Sequence, residues 1–415
     1  MKNTNWIAIQ PAPQVEETPT QTISRTAPGL ALQSFAASFV HLGVAQNPGG
    51  EQVSNQAILA MKYILVSGGC GFVGRNLVKR LMTTTQDFIL FVDDLSVGQH
   101  PYYWLDLEMN RSENGLEFYG EGDRAAFLQM DFKAFLHRLQ SEPEFLRRQY
   151  GLEIPRFNDV FHFAAIVGGR AKIDGDPMAV ALDLAIDAEF FYWVVRHKPD
   201  RVLFPSSSAA YPVNLQTDEA ALALRESYID FEGGELGQPD MTYGWSKLTG
   251  EYLARIAAQH YGISVASVRP FSGYGEDQDL TYPVPAIARR AARKENPFEV
   301  WGSGHQGRDF VHIDDCIDAI LLAMDRISDG SAINIGSGYL TSFRDLIQVF
   351  SSFAGYTPTI KPLLDKPVGV HSRYADMTYV NETFGWKPKI SLEEGMRRVF
   401  DAAVLALQDE ETAAS

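Results

Sequence analysis

A chain of 415 residues that is 45% hydrophobic and 21% charged can bury one large α/β core or two smaller ones. Its formal charge of −16, with no long Lys/Arg run to offset it, argues against nucleic acid or an anionic membrane as partner, so an anionic substrate would need local arginines. Two cysteines, Cys70 and Cys316, with no Cys/His cluster near either, point to a reducing, cytoplasmic setting and to no metal site.

Residues 1 to 60 are rich in Thr, Gln, Pro, Ser and Ala. Their mildly apolar stretch from Leu30 to Ala45 is broken by Gln33, Ser34, Ser38 and His41, and it follows Glu16 and Glu17 where a basic segment would precede a signal. It reads as a flexible extension. No apolar run reaches the roughly 18 to 20 residues of a membrane span. From Lys62 onward short apolar runs alternate with longer amphipathic stretches, the pattern of βαβ units and a doubly wound, Rossmann-type parallel sheet. Tyr63 to Val66 reads as the first strand, Phe72 to Met82 as the helix after it, and Phe88 to Val92 as the second strand. The insert from Ser96 to Pro155 holds a short strand, Leu116 to Tyr119, and one or two helices. Asp159 to Phe163 and Arg201 to Phe204 read as strands, with a helix from Pro177 to His197 between them. Another helix carries Tyr243 to Tyr261, and Ile263 to Val268 is a strand. After Arg269 the βα rhythm gives way to Gly, Pro and aromatic residues, which predicts a smaller α/β substrate lobe over residues 270 to 405. Residues 61 to 269, with part of 311 to 330, form the dinucleotide-binding domain in this reading, with the helix Ile313 to Met324 belonging to the sheet.

Three patterns carry chemistry. Gly68, Gly71 and Gly74, with Phe72 and Val73 between them, follow a strand and open a helix, where glycines permit a tight turn and close approach of a pyrophosphate to the helix N-terminus. Asp93, ending the second strand, can accept hydrogen bonds from an adenosine ribose, and its charge would repel a 2′-phosphate, so NAD is favoured over NADP. Tyr243 and Lys247, at i and i+4, share one helix face, so the ammonium can stabilise a phenolate and make the tyrosine a usable base. Upstream stands Ser206-Ser207-Ser208.

With these come Phe161-His162-Phe163-Ala164-Ala165, Arg269-Pro270-Phe271, residues 302 to 315, and Phe384-Gly385-Trp386-Lys387-Pro388. In this ordered set the chain resembles the extended short-chain dehydrogenase/reductases, in their nucleotide-sugar epimerase/dehydratase branch, from about Tyr63 to Val399. The resemblance implies that Ser207 is the catalytic hydroxyl, with the triple serine leaving the choice open by one position. It makes Tyr243 the general base, and Lys247 the residue that binds the nicotinamide ribose. Asp131 resembles the acidic residue whose segment contacts adenine, and Ala164, Ala165 and Pro205 would line the cofactor groove. Arg308 and Arg373 resemble the arginines that grip the substrate's diphosphate, and Val167-Gly168-Gly169 the sugar-facing loop. Ser272 stands where many 4-epimerases have an Asn at the diphosphate. Family members often dimerise through two helices, here Pro177 to His197 and Met241 to Tyr261, which implies a homodimer.

The resemblance also separates reactions. Dehydratases of this branch place Asp-Glu directly after the catalytic hydroxyl, decarboxylases a Glu at the second of those positions, and 3,5-epimerases and fucose synthases a Cys there. This chain has Ser208 and Ala209. What remains needs only Ser, Tyr, Lys and NAD: oxidation of one sugar carbinol, rotation of the keto-sugar, and hydride return to the other face, usually at C4. A C2-epimerase, a net dehydrogenase or ketoreductase, and a non-catalytic NAD-binding scaffold are the alternatives.

Overall fold

The structure, a computed structural model, describes residues 61 to 414 apart from residues 167, 169 and 235. The extension expected over residues 1 to 60 and the expected substrate contact Val167 therefore lie outside the described residues. In chain order the strands are β1 Tyr63–Ser67, β2 Phe88–Asp93, β3 Met109–Glu113, β4 Leu116–Tyr119, β5 Ala125–Gln129, β6 Asp159–His162, β7 Arg201–Pro205 and β8 Ser264–Pro270. They continue with β9 Ser272–Tyr274, β10 Phe298–Trp301, β11 Gly307–Arg308, β12 Phe310–His312, β13 Asp329–Ile335, β14 Thr341–Ser342, β15 Ile360–Leu363 and β16 Ser372–Arg373. The helices are α1 Phe72–Thr84, α2 Phe132–Ser141, α3 Phe145–Tyr150, α4 Arg170–Gly175, α5 Pro177–Val180, α6 Asp183–His197 and α7 Met241–Tyr261. After them come α8 Pro283–Ala292, α9 Ile313–Arg326, α10 Phe343–Phe353, α11 Thr378–Phe384 and α12 Leu392–Ala414.

The main sheet runs β13-β8-β7-β6-β1-β2-β5-β4-β3. From β13 to β5 every pairing is parallel, and only β4 and β3 turn antiparallel at the edge. Both faces are buried, as continuous apolar strands require. Ile64 and Val66 of β1, with Ile89 and Phe91 of β2, face the core under α1 and α9, whereas Leu65, Leu90 and Val92 face the core under α2, α3 and α6. At roughly 25 cal/mol per Å² of apolar surface, these two layers dominate the folding free energy. A third core under α8, α10 and α12 is built from later residues, among them Val284, Phe298, Phe350 and Phe400.

Strand order reverses between β1 and β6, and ligands of open α/β sheets bind in the crevice such a reversal leaves at the strand ends. Three elements differ from expectation. The helix from Pro177 to His197 is broken at Ala181 and Leu182 into α5 and α6. β5, with its two alanines, is a buried sheet strand inside the insert, and β13, rich in small and polar residues, returns the chain to the sheet beside β8.

Candidate active site

The glycine loop leaves β1 with the Gly68 N–H donating to the Val92 carbonyl at 2.8 Å. Gly68 has a φ of +64°, and a Cβ there would lie 2.6 Å from the Ala164 nitrogen, which places the loop directly against the residues after β6. A Cβ on Gly74 would lie 2.1 Å from the Gly68 carbonyl oxygen. Gly71 is different, because its Cβ would meet only the Gly68 oxygen, at 3.3 Å, and otherwise open space. Gly71 also caps α1 with no side-chain hydrogen bond, so the first-turn amides of Phe72, Val73 and Gly74 keep their capacity for an anion. That cradle fits a pyrophosphate.

Asp93 is buried beside it. Its Oδ2 accepts the Cys70 N–H at 3.0 Å and its Oδ1 the Leu95 N–H at 2.8 Å, so the carboxylate shapes the loop and retains lone pairs for a ribose. Burial pushes its carboxyl above the ordinary range. Asp131 is exposed and caps α2, accepting the Ala134 N–H at 2.9 Å. Ala164 donates its N–H to Ser67 Oγ at 3.2 Å, and Ala165 and Gly168 follow half-buried along the same crevice wall.

The serine run divides by partner. Ser206 Oγ donates to Glu251, which pairs twice with the buried Arg269, at 2.8 and 2.7 Å, so Ser206 is committed to the core. Ser207 instead follows β7 and accepts the Ala209 N–H at 3.1 Å, capping a short 3₁₀ turn over Ser208–Ala210. This turn packs on the start of α7. The Asp240 N–H donates to the Ala209 carbonyl at 3.0 Å, and a Cβ on Gly244 would lie 2.4 Å from that same oxygen. Gly244 therefore lets the turn carrying Tyr243 close on the turn carrying Ser207.

Lys247 is 3% exposed, with Nζ 5.9 Å from the Tyr243 ring centre and 5.4 Å from that of Phe204. Burial opposes its charge, but Asp187 and then Asp183 hold the ammonium above the ordinary lysine range. These two acids lie one turn apart on α6, and each leaves its Oδ2 without a hydrogen-bond partner. Asp183 Oδ1 accepts the Ile166 N–H at 2.5 Å, and burial pushes its carboxyl up to about 6. Asp187 bonds His162 Nε2 at 3.1 Å, while His162 Nδ1 meets Ser67 Oγ at 2.8 Å. Burial keeps that imidazole below its ordinary range. Sequence reasoning missed both acids; their i, i+4 spacing was the available signal.

Arg308 and Arg373, far apart in sequence, are register partners on β11 and β16. Arg308 donates to the backbone carbonyls of Gly307, Val370 and Val368 at 2.7, 3.0 and 3.2 Å, and to no carboxylate among the described residues. Burial, and then Arg373, pull its guanidinium below the ordinary range. Arg373 donates to Gln216 Oε1 at 2.6 Å and to Asp240 Oδ2 at 2.9 Å. Arg170, which the sequence reading passed over, donates to both oxygens of Asp240 at 3.0 Å and pairs with Asp174. Burial opposes the charge of Asp240, yet Arg373 and Arg170 hold its carboxyl below the ordinary range. Burial pulls the Arg373 guanidinium below its ordinary range against the opposing pull of Asp240 and, more weakly, of Tyr243, and burial with Tyr243 pushes the Tyr282 phenol up to about 12. Tyr243 thus lies within electrostatic reach of the arginine cluster. Ser272 lies on β9, opposite Phe310 of β12.

Residues 64–336 match the sequence pattern of the NAD dependent epimerase/dehydratase family. A GDP-L-fucose synthase of Sinorhizobium fredii is 29% identical over 255 residues, covering 59% of this chain and 79% of its own. The crystal structure of a UDP-glucose 4-epimerase from Thermotoga maritima, with UDP-glucose, superimposes with a TM-score of 0.66 at 26% identity, covering 83% of this chain and 99% of its own. TunA, an NAD dependent NDP-hexosamine 5,6-dehydratase, shares the fold with a TM-score of 0.62 at 20% identity, covering 82% of this chain and 97% of its own.

Proposed function

The chain belongs to the NAD dependent epimerase/dehydratase family and its cofactor is NAD, and from that premise we propose that it epimerises a nucleotide-diphosphate sugar, at C4, by transient oxidation. NAD held on the Gly68 to Gly74 loop supplies the hydride acceptor and donor. Tyr243, as phenolate, takes the proton of the sugar hydroxyl while the Ser207 hydroxyl holds the same oxygen. Lys247 sets a positive charge 5.9 Å from the Tyr243 ring centre, and Asp187 and then Asp183 keep that lysine charged in a buried place. Tyr243 then returns the proton once the keto-sugar has turned its other face. Arg308 and Arg373 would hold the diphosphate as the sugar turns.

The observation that carries this reading is the turn after Ser207. It presents Ser208 and Ala209, both buried, and the Ala209 carbonyl accepts the N–H of Asp240 just before α7, so this turn itself offers no carboxylate or thiol for elimination or for carbanion chemistry. Incubation with UDP-, GDP-, CDP- and dTDP-sugars without added reductant should interconvert two sugars, read by NMR. Stoichiometric NADH accumulation would instead support a net dehydrogenase, and inversion at C2 the other epimerase.

We also read residues after about 270 as the substrate lobe and the chain as a homodimer. Met178, Leu182 and Tyr192 along α5 and α6, with Trp245 and Tyr252 on α7, are exposed, and sedimentation at micromolar concentration tests the pairing. Both cysteines are free and buried, which suits a reducing compartment such as the cytoplasm. Among the described residues no helix is long and apolar enough to cross a membrane.

A further inference from the structure

Asp240 stands between the arginines and the catalytic helix. Its carboxylate takes Arg170 on both oxygens at 3.0 Å and Arg373 on Oδ2 at 2.9 Å. Its main chain does something else: the N–H donates to the Ala209 carbonyl at 3.0 Å, and the carbonyl accepts the Gly244 N–H at 2.8 Å. An Asp at this position normally bonds the first amides of its helix, but here the side chain makes no cap hydrogen bond. The side chain has been turned to the arginines while the backbone fixes the turn from which Tyr243 projects.

The charges are unevenly served. Arg308, beside Arg373 in register, has carbonyl acceptors only, whereas Arg373 and Arg170 share one carboxylate. A dianion brought to Arg308 and Arg373 therefore meets an Arg373 whose charge Asp240 already offsets. We infer that Asp240 is a positioning residue, a built-in counter-anion that occupies Arg373 and Arg170 until the substrate's diphosphate arrives and so ties filling of the arginine site to the placement of Tyr243. This rests on the reading of Arg308 and Arg373 as the diphosphate grip. An ion pair that served stability alone would leave anion affinity and the kinetic constants where they were.

The test titrates inorganic pyrophosphate into the NAD-loaded full chain by calorimetry, for the wild type, Asp240→Asn and Asp240→Glu. Removal of the internal competitor should tighten pyrophosphate binding about tenfold in Asp240→Asn. With a nucleotide sugar, KM and kcat should fall together in that variant, because the grip tightens while the base loses its placement. Asp240→Glu should return pyrophosphate affinity to within about threefold of the wild type. Equal or weaker binding by Asp240→Asn overturns the inference. A second measurement needs no variant: amides of residues 240 to 245 should change their hydrogen-exchange rates when pyrophosphate binds the wild type, and no change also overturns it. Wild-type protein that fails to bind pyrophosphate at all would instead remove the diphosphate grip itself.

Discussion

Around the glycine loop the constraints are steric and neutral, whereas around the arginine pair they are charged and only partly met. Gly68 and Gly74 leave no room for a methyl group, and Asp93 already bonds the Cys70 amide of the loop and the Leu95 amide beside itself. Arg308 rests on three carbonyls, and Arg373 and Arg170 share Asp240. A site built by shape is formed before its ligand comes. A site built from surplus charge is completed by an anion, as the proposed diphosphate would complete this one in a chain of net charge −16.

The largest expected effect falls on Tyr243, the proposed base. Tyr243→Phe should cut turnover by roughly 10²- to 10⁴-fold while leaving NAD affinity within about threefold, measured by steady-state kinetics and calorimetry. Retained turnover would break the assignment of the base. At the shaped end, Gly74→Ala should abolish measurable NAD binding and cost about 1–3 kcal/mol in denaturant unfolding, since its Cβ would lie 2.1 Å from the Gly68 oxygen. Normal NAD affinity in that variant would show the loop to be less rigid than the comparison holds. At the charged end, Arg308→Gln should raise KM for the nucleotide sugar by about 10- to 100-fold. Its melting temperature should change little, because the loss of a buried charge offsets the three carbonyls that lose their donor.

The smallest expected effect concerns Asp183. Its carboxyl sits at about 6 when folded against an ordinary 3.8, so the folded chain holds that proton more tightly than the unfolded one. Its contribution to stability is therefore complete below the unfolded value and lost as pH rises through about 6. Asp183→Asn should thus gain stability relative to the wild type between pH 4.5 and 7.5, by roughly 1–3 kcal/mol in paired denaturant titrations. In the wild type, hydride transfer followed by absorbance should weaken a few-fold below pH 6 as Lys247 loses one neighbouring charge, and the variant should lack that step. A flat difference across this range would separate Asp183 from Lys247.

The sheet was readable where strands are continuous apolar runs. Tyr63 to Val66 and Phe88 to Val92 emerge nearly at their observed ends because both faces of these strands are buried. β13 was not, since Asp329, Gly330, Ser331 and Asn334 mask a strand whose only deeply apolar positions are Ile333 and Ile335. Tyr243, Lys247 and the glycines were readable because their spacing is local. Arg308 and Arg373 could be picked out only through resemblance to a family, for their meeting is a matter of β11 pairing with β16. Arg170 and Asp240 gave no such signal, being a lone Arg after a glycine pair and a lone Asp after a proline. Among the triple serine, Glu251 takes Ser206 and the Ala209 amide meets Ser207, pairings that no local spacing foretells.

Ala209 is fastened to the catalytic helix by its carbonyl, an atom that every amino acid brings. The register between the two turns that carry Ser207 and Tyr243 is thus indifferent to the side chain at 209. A turn fastened in this manner can change its side chain at 209 without shifting its neighbour, as a lock keeps its bolt when the key is recut.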